Sequence, residues 1–469
     1  MPDLENGSGK LERKLGLFDS TMMMVGIVIG SGIFLITGIM AKSLPSAGMI
    51  LLAWGVGGLI TLAGALTYAE LGAAMPHAGG QYVYLREAYG HLAAFLFGWI
   101  LFLVSMGGAI AAAAVGFAEY FGYFFPALST TNYLFEMSET VLGVPVSYSL
   151  STGQLVAFFM ILILSAVNYL GAGLGKTIQN ILSATKIGTI LVFIILGLTF
   201  GGNVADNIQT GNSALDIEKG SLIIGFGLAL VAVSWAFDGW HNINYVAGEI
   251  KNPKRNLPLT LFLGVSIITV LYMLVNIVYI KAVPVSEMSG VVRIAEKAST
   301  NMFGGNAASL ISAAVLISTF GSLNGAIFVA PRVYYAMAQD KVFFRRAEHI
   351  HPKYKTPSFA IGIQAFWAGF LTLTGSYEQL FIYVTVINIV FWIAGTTSVF
   401  RLRKIMPDLQ RPYKTWGYPY IPIVFIISLL WILINTLIQR PIESFAGLGL
   451  TLLGIPVYYY WRNKAQRDR

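Results

Sequence analysis

The sequence predicts an all-α integral membrane protein with twelve transmembrane helices, and three observations support this fold class. Hydrophobic residues make up 56% of the 469 residues, charged residues make up only 11%, and the mean hydropathy is +0.69. An average soluble domain carries about 25% charged residues, so this chain is too apolar to be one. Its apolar runs are long and continuous, whereas a membrane β-barrel needs alternating strands of about ten residues.

Roughly 20 apolar residues in a helix cross the hydrocarbon core of a bilayer, and twelve stretches of the chain reach that length. They lie near 17–41, 47–74, 92–122, 153–171, 177–200, 220–249, 257–280, 305–338, 358–376, 379–400, 419–438 and 443–461.

Basic residues accumulate in short cytoplasmic loops and therefore predict the orientation of these spans. If the N-terminus is inside, 23 of the 30 Lys and Arg residues fall on the cytoplasmic side and 6 fall outside, with Lys186 left within a span. The long loop 123–152 contains no Lys or Arg, as expected for an external loop. We therefore expect a multi-pass protein of the plasma membrane with both termini cytoplasmic.

The composition also excludes several classes of function. The net charge of +8 follows the loop distribution just described, so no nucleic-acid partner is expected. The chain has no Cys, which excludes disulfides, zinc–thiolate sites, iron–sulfur clusters and a thiol nucleophile. The five His residues lie near predicted span ends or in loops, and they predict no metal site. We expect no cofactor.

The first span contains a glycine-rich stretch, V-G-I-V-I-G-S-G-I-F at 25–34. Glycine weakens a helix by about 1 kcal/mol relative to Ala, and backbone at membrane depth is left unpaired only where it lines a cavity. The stretch therefore predicts a break in the helix at a binding site. Close helix packing through small residues is an equally good explanation of this motif taken alone.

The sixth span contains a second candidate break, S-W-A-F-D-G-W at 234–240. Its Asp238 is a carboxylate that hydrocarbon would not accept, so it is expected to face protein or water. A structural role for Asp238, as a helix cap or in a pair near the interface, is the alternative.

Breaks in the first and sixth spans each begin a block of five spans, as expected of two inverted five-helix repeats with a site between them. This divides the chain into a cytoplasmic N-terminal segment (1–16), a first repeat (17–200), a second, inverted repeat (201–404), and two peripheral helices with a cytoplasmic tail (405–469). A half-helix beginning at Gly30–Gly32 offers N–H groups to an anion, and one ending near Trp235 offers carbonyl groups to a cation. A zwitterion fits both ends.

Several motifs together resemble the amino acid–polyamine–organocation transporters, in particular their L-type amino acid transporter branch with its bacterial exchangers. The motifs are G-S-G-I-F at 30–34, Y-A-E-L-G at 68–72, P-x-x-G-G-Q-Y-x-Y at 76–84, F-D-G-W-H-N-I-N-Y-V at 237–246, G-E-I-K-N-P-K-R-N-L-P at 248–258, S-T-F-G-S-L-N-G at 318–325 and R-P-Y-K-T-W-G-Y-P at 411–419. The resemblance implies a LeuT-like fold with a 5+5 inverted repeat that moves an L-amino acid by alternating access.

The resemblance also implies roles for the residues of both breaks. The unwound stretch that would hold the substrate carboxylate is Ile29, Gly30, Ser31, Gly32 and Ile33. The stretch whose carbonyls would hold the amino group is Trp235, Ala236, Phe237, Asp238 and Gly239, with Trp235 at the position of the family's gating aromatic residue.

Lys186 is the only basic residue predicted to lie inside the bilayer, where a charged side chain costs several kcal/mol unless it finds partners. It lies about 15 Å along the fifth span from Lys176, which is deep for a side chain reaching the interface. The resemblance implies that its ammonium group substitutes for a sodium ion, with a carbonyl near Gly26–Gly30 and the hydroxyls of Ser318 and Thr319 as partners. A proton-releasing role for Lys186 stays open.

Three further charged residues, Glu70, Glu249 and Arg86, lie toward cytoplasmic span ends. They could form an inner gate with Arg255 or Lys254, although solvated interface charge is the more economical interpretation. Asn324, Asn388 and Tyr383 could line the site from the eighth and tenth spans, but small polar residues also join helices in membranes.

The first functional hypothesis is a sodium-independent carrier that exchanges neutral L-amino acids. A proton-coupled carrier, or a permease for cationic amino acids or polyamines that uses Asp238, is the alternative within the same class, and a non-transporting amino acid sensor is another. An enzyme would need paired His or carboxylate groups at one depth, and the sequence has none. Without Cys, we expect no disulfide-linked heavy subunit, and the partners are the amino acid and the lipid bilayer.

Overall fold

The computed structural model describes residues 11–141, 144–200, 219–373, 377–439 and 441–467, and these are mostly helical. The helices in chain order are α1 (Leu17–Val28), α2 (Gly32–Met40), α3 (Ala47–Ala74), α4 (Gln81–Tyr89), α5 (His91–Ile100), α6 (Met106–Phe124), α7 (Thr152–Tyr169), α8 (Ala172–Phe200), α9 (Lys219–Ala236), α10 (Pro253–Ala282), α11 (Val285–Met288), α12 (Ile294–Phe303), α13 (Gly305–Val329), α14 (Pro331–Gln339), α15 (Ser358–Thr372), α16 (Tyr377–Ile405), α17 (Tyr420–Gln439), α18 (Pro441–Leu452) and α19 (Gly454–Arg467).

Among the described residues, seven helices are long and apolar enough to cross a membrane, or eight if the bent pair α1 and α2 is one span. These match eight of the stretches expected from the sequence. The other four expected spans, 220–249, 358–376, 379–400 and 443–461, fall on helices that are shorter, interrupted or only partly described. The count of twelve therefore stays a prediction, and the boundary between the two expected repeats, at 200 and 201, borders on residues outside the described part.

The expectation of an all-α chain needs one correction, in the loop 123–152. Two antiparallel strands, β1 (Tyr133–Val141) and β2 (Val144–Ser151), form a hairpin there, with Tyr133 opposite Ser151 and Val141 opposite Val144. Aromatic and β-branched residues favour extended backbone, and a two-stranded hairpin cannot cross a bilayer because its open edges would leave backbone groups unpaired in hydrocarbon. The hairpin therefore adds a small extramembrane element to a helical protein.

The third span contains a short segment with wider helical winding. Residues 91–124 form one apolar helix, but Leu101–Ser105 adopt π-helical geometry between α5 and α6. A π-helical segment inserts an extra residue into a helix and often marks a functional site. In this chain it ends at Ser105, a polar residue in an otherwise apolar stretch.

Buried ion pairs join helices near the ends assigned to the cytoplasm, with partners that differ from those expected. Glu249 pairs with Arg332 at 2.7 Å rather than with Arg255 or Lys254, and both side chains are at most 3% exposed. Glu70 accepts hydrogen bonds from Arg403. The interpretation of these acids as solvated interface charge is therefore wrong for Glu70 and Glu249, because packing of the helices buries both side chains.

We predict that Arg332→Ala lowers the free energy of unfolding by about 3–5 kcal/mol, because it leaves the Glu249 carboxylate buried without its partner. Thermal unfolding of the purified protein in detergent would measure this. Lys14→Ala is the matched control, because it removes an ion pair of similar length, at 2.6 Å, whose two side chains are 47% exposed. An exposed pair contributes at most about 1 kcal/mol, so equal effects of the two substitutions would contradict the prediction.

Candidate functional site

The first expected break is present between α1 and α2. Helix α1 ends at Val28, α2 begins at Gly32, and the two are bent by 41°. The first N–H groups of an α-helix have no acceptor within that helix, so the start of α2 presents donors at the break. Gly32 also permits a close approach, because a Cβ atom at this position would lie 3.1 Å from the Cα of Ala236.

The second expected break is also present, immediately after α9. The helix ends at Ala236, a turn follows through Gly239 with φ of +92°, and the chain resumes as a 3-10 helix over Asn242–Glu249. A positive φ of this kind favours glycine. The end of α9 therefore lies next to the start of α2, where a Cβ at Gly32 would meet the backbone of Ala236.

A small cavity lies between the two breaks. Seven of the ten residues expected to bind substrate line it, namely Gly30, Ser31, Gly32, Trp235, Ala236, Asp238 and Gly239. Ile29, Ile33 and Phe237 do not line it, and all three are buried in the surrounding core. Their side chains point away because neighbouring residues at a break cannot all face one cavity.

The sequence did not reveal the other walls of the cavity. The third span contributes Ser105, Met106, Ala109 and Ala113; α13 contributes Ser322 and Ala326; and the segment after the second break contributes His241 and Asn242. Most of these side chains are small, so their composition resembles that of a close helix contact. Only Ser105 is recognisable in the sequence as a candidate cavity residue, because it is a lone polar residue in an apolar run.

Asp238 faces the cavity within a chain of polar side chains. One carboxylate oxygen accepts a hydrogen bond from the N–H of Gly239 at 2.7 Å, and the other accepts one from the side-chain amide of Asn388 at 3.0 Å. The hydroxyl of Ser105 donates to the amide oxygen of Asn388. The expectation that Asp238 faces protein rather than lipid is thus confirmed, and Asn388, weighed only as a minor candidate, is its direct partner.

Lys186 lies behind the first break. Its Nζ donates to the carbonyl oxygens of Gly26 at 2.8 Å and of Ile29 at 2.5 Å, and the residue is only 1% exposed. Ser318 donates to the Ile29 carbonyl from the other side at 3.2 Å. Thr319, also expected here, instead donates to carbonyls of its own helix, including that of Val315. Among the ion pairs of the described residues, none includes Lys186.

Tyr272 on α10 joins the two breaks and was not foreseen from the sequence. Its hydroxyl lies 3.2 Å from the carbonyl oxygen of Val28 and 3.1 Å from that of Ala236, so its single O–H is shared between the ends of α1 and α9. Its ring packs edge-on against Phe237 and Trp54. The broken helices are therefore held at a fixed separation by one buried side chain.

The site thus consists of two interrupted helices that meet at a small polar cavity, with a lysine behind the first break. A comparison with known protein families agrees with this arrangement. A family model described as amino acid permease matches residues 15–445. The chain belongs to the amino acid permease family. The resemblance drawn from its motifs is confirmed, and this permease is a multi-pass membrane protein of the amino acid–polyamine–organocation transporters.

Individual relatives of this permease are transporters. It is 30% identical to the serine/threonine exchanger SteT of Bacillus subtilis over 96% of this chain and 97% of that protein. It is 30% identical to the large neutral amino acids transporter small subunit 2 of Oryctolagus cuniculus, over 99% and 84% of the two chains. The b(0,+)-type amino acid transporter 1 of Mus musculus is 29% identical, over 96% and 88%.

We predict that Gly32→Val abolishes substrate binding, because the added side chain meets the backbone of Ala236 and fills the entrance to the N–H groups of α2. Binding of radiolabelled amino acid to the purified permease would measure this. Gly188→Val is the matched control, since a Cβ at Gly188 meets nothing within 4 Å. Unchanged affinity in the Gly32 variant would remove this residue from the site.

Proposed function

We propose that this permease exchanges neutral L-amino acids across the plasma membrane by alternating access, without sodium. The observation that carries the proposal is the cavity between the two breaks, which is lined by residues at the start of α2 and by residues at the end of α9. Such a pair of ends complements a carboxylate and an ammonium group at once. Gly30, Ser31 and Gly32 are the proposed carboxylate contacts, and the carbonyls from Trp235 to Gly239 are the proposed ammonium contacts.

The residues that line the cavity support a substrate amino acid with a small or medium neutral side chain. Ala109, Ala113 and Ala326 present only methyl groups, while Trp235 is the bulky residue at the end of α9. The names of the relatives include serine and threonine in one case and large neutral amino acids in another. Neutral amino acids are the class common to these names.

The contacts of Lys186 support independence from sodium. Carbonyl and hydroxyl oxygens are the ligands that hard cations prefer. Here the Nζ of Lys186 already donates to the carbonyl oxygens of Gly26 and Ile29, and the second of these also accepts from the Ser318 hydroxyl. A covalently attached ammonium group satisfies these oxygens without an ion from solution. Lys186 and Ser318 thus have a proposed ion-substituting role, while Thr319 is held to its own helix.

Asp238 supports a second candidate, a permease for cationic amino acids. Its carboxylate lines the cavity, and a charged substrate side chain would gain an opposite charge there. A cationic substrate is less well supported, because both carboxylate oxygens of Asp238 already accept hydrogen bonds, one from Gly239 and one from Asn388. We therefore favour neutral substrates.

The remaining parts of the proposal follow the sequence. We infer a LeuT-like arrangement of two inverted five-helix repeats, with both termini cytoplasmic, from the positions of the breaks and the distribution of basic residues. Because the chain has no Cys, we propose that it acts without a disulfide-linked subunit.

Uptake into liposomes tests the function directly. We expect labelled neutral amino acid to enter liposomes preloaded with unlabelled neutral amino acid at a rate about ten-fold or more above that of empty liposomes, and choline in place of sodium to change nothing. Competition with arginine, lysine and polyamines separates the cationic alternative. Binding without flux would favour a sensor, and uptake into empty liposomes driven by an acidic exterior would favour proton coupling.

We predict that Lys186→Ala slows exchange roughly ten- to hundred-fold, which corresponds to losing about 1.5–3 kcal/mol of charged hydrogen bonding at the first break. Lys281→Ala is the matched control, because that lysine also donates to a backbone carbonyl, of Leu198, but does so at an exposed position. Rates equal to those of the unmodified permease, at equal protein insertion, would refute the proposed role of Lys186.

A further inference from the structure

Two open grooves flank the C-terminal helix α19, on the side of the molecule that the basic residues assign to the cytoplasm. One lies between α19 and the start of α5, and the other lies between α19 and the segment after α14. Lys341 and Ala465 line both. The two grooves therefore form one surface around the end of α19, called here the α19 groove.

The α19 groove carries an excess of positive charge. Its basic residues are Lys341, Arg345, Arg462 and Lys464. Its two acids are already engaged, since Asp340 accepts hydrogen bonds from Arg86 and Tyr82, and Glu348 lies 3.6 Å from Arg345. The remaining cations thus have unbalanced charge, which a phosphate group would complement.

Aromatic side chains lie beside these cations. Trp461 packs edge-on against Phe344 at 5.3 Å, and the Nζ of Lys464 lies 5.5 Å from the centroid of the Trp461 ring. Aromatic residues of this kind collect where headgroups meet hydrocarbon.

Exposed apolar residues also lie at the junction of α18 and α19 and along α19. Leu452 and Leu453 are about 60% exposed, and Tyr460 is similarly accessible. Cations, aromatic rings and exposed apolar side chains near one another complement a phospholipid, which has a charged headgroup and apolar acyl chains. Free phosphate would use only the cationic part.

We propose that the α19 groove binds an anionic phospholipid of the cytoplasmic leaflet, with its phosphate held by Lys341, Arg462 and Lys464 and its acyl chains along α18 and α19. Basic pockets between transmembrane helices on the cytoplasmic side bind such headgroups in general. The proposal rests on the orientation given under the proposed function. Lys341 directly follows Asp340, the partner of Arg86, so the lipid would stabilise the connection between α14 and α4.

Nanodiscs of phosphatidylcholine, with and without phosphatidylglycerol, provide the test. We expect phosphatidylglycerol to co-purify with the permease and to raise its unfolding temperature. Combined replacement of Lys341, Arg462 and Lys464 by Gln is expected to weaken retention of this lipid roughly ten- to hundred-fold, since each basic residue near an anionic surface contributes about five-fold. Single Lys341→Gln and Lys464→Gln variants, each expected to lose about five-fold, replace the triple variant if it does not fold.

The matched control replaces three other exposed basic residues assigned to the same side, Lys254, Arg255 and Lys414, by Gln. Equal loss of lipid in the control would reduce the effect to general surface charge and overturn the site. Retention of phosphatidylglycerol by the variants, or equal stabilisation by inorganic phosphate in phosphatidylcholine discs, would overturn it too.

The outcome can be separated from that of the proposed function, because lipid retention is measured without transport. A single Cys introduced as Ala465→Cys would be the only thiol in the chain, so its labelling from one side of sealed vesicles reports the orientation. Labelling from outside would overturn the cytoplasmic lipid site and leave amino acid exchange to be judged by uptake.

Discussion

A helix interrupted inside a bilayer leaves peptide groups without partners, and the arrangement of this permease depends on how those groups are satisfied. Each unpaired group in hydrocarbon costs several kcal/mol, so the two breaks need donors from neighbouring helices. Lys186 on α8 supplies them to Gly26 and Ile29, and Tyr272 on α10 supplies them to Val28 and Ala236. The remaining peptide groups, and the second acceptor position of each carbonyl oxygen, are available to a substrate.

The two donors have different mechanical consequences. Tyr272 contacts the ends of both broken helices, so it favours their moving together. Lys186 contacts the first break alone and attaches it to α8, while Ser318 attaches the same carbonyl to α13. Any opening that separates α1 from α8 must therefore release a buried ammonium group, which is costly unless water or substrate replaces its partners. A fixed cation of this kind couples the shape of the site to helix packing.

The sequence predicted those parts of the site in which a residue is unusual at its own position in a span, whatever its neighbours in the fold. Glycines at mid-span weaken a helix, and an acid at 238 and a base at 186 are unfavourable in hydrocarbon. Each therefore indicated a break, a cavity or a partner without any knowledge of the fold. It did not predict the partners themselves, because these depend on the rotation and depth of other helices. Tyr272 reads as an ordinary aromatic residue of an apolar helix, and Glu249 was matched to nearby Arg255 or Lys254, although Arg332 lies 83 positions away in the chain. The hairpin over 133–151 was missed for a different reason, since membrane-length patterns say nothing about extramembrane strands.

The hydrogen bonds of Asp238 bear on how the site distinguishes neutral from charged amino acids. A carboxylate has about four acceptor positions, and here Gly239 and Asn388 occupy one on each oxygen, with Ser105 orienting Asn388 in turn. The remaining positions can accept from a substrate ammonium or hydroxyl group, but the carboxylate is held in place and cannot follow a long flexible cation. A substrate with a short hydroxyl side chain, or with an apolar side chain that leaves the Ser105–Asn388–Asp238 hydrogen bonds intact, therefore loses less binding free energy. Selectivity then depends on the rigidity of the chain from Ser105 to Asp238 as much as on the charge at its end.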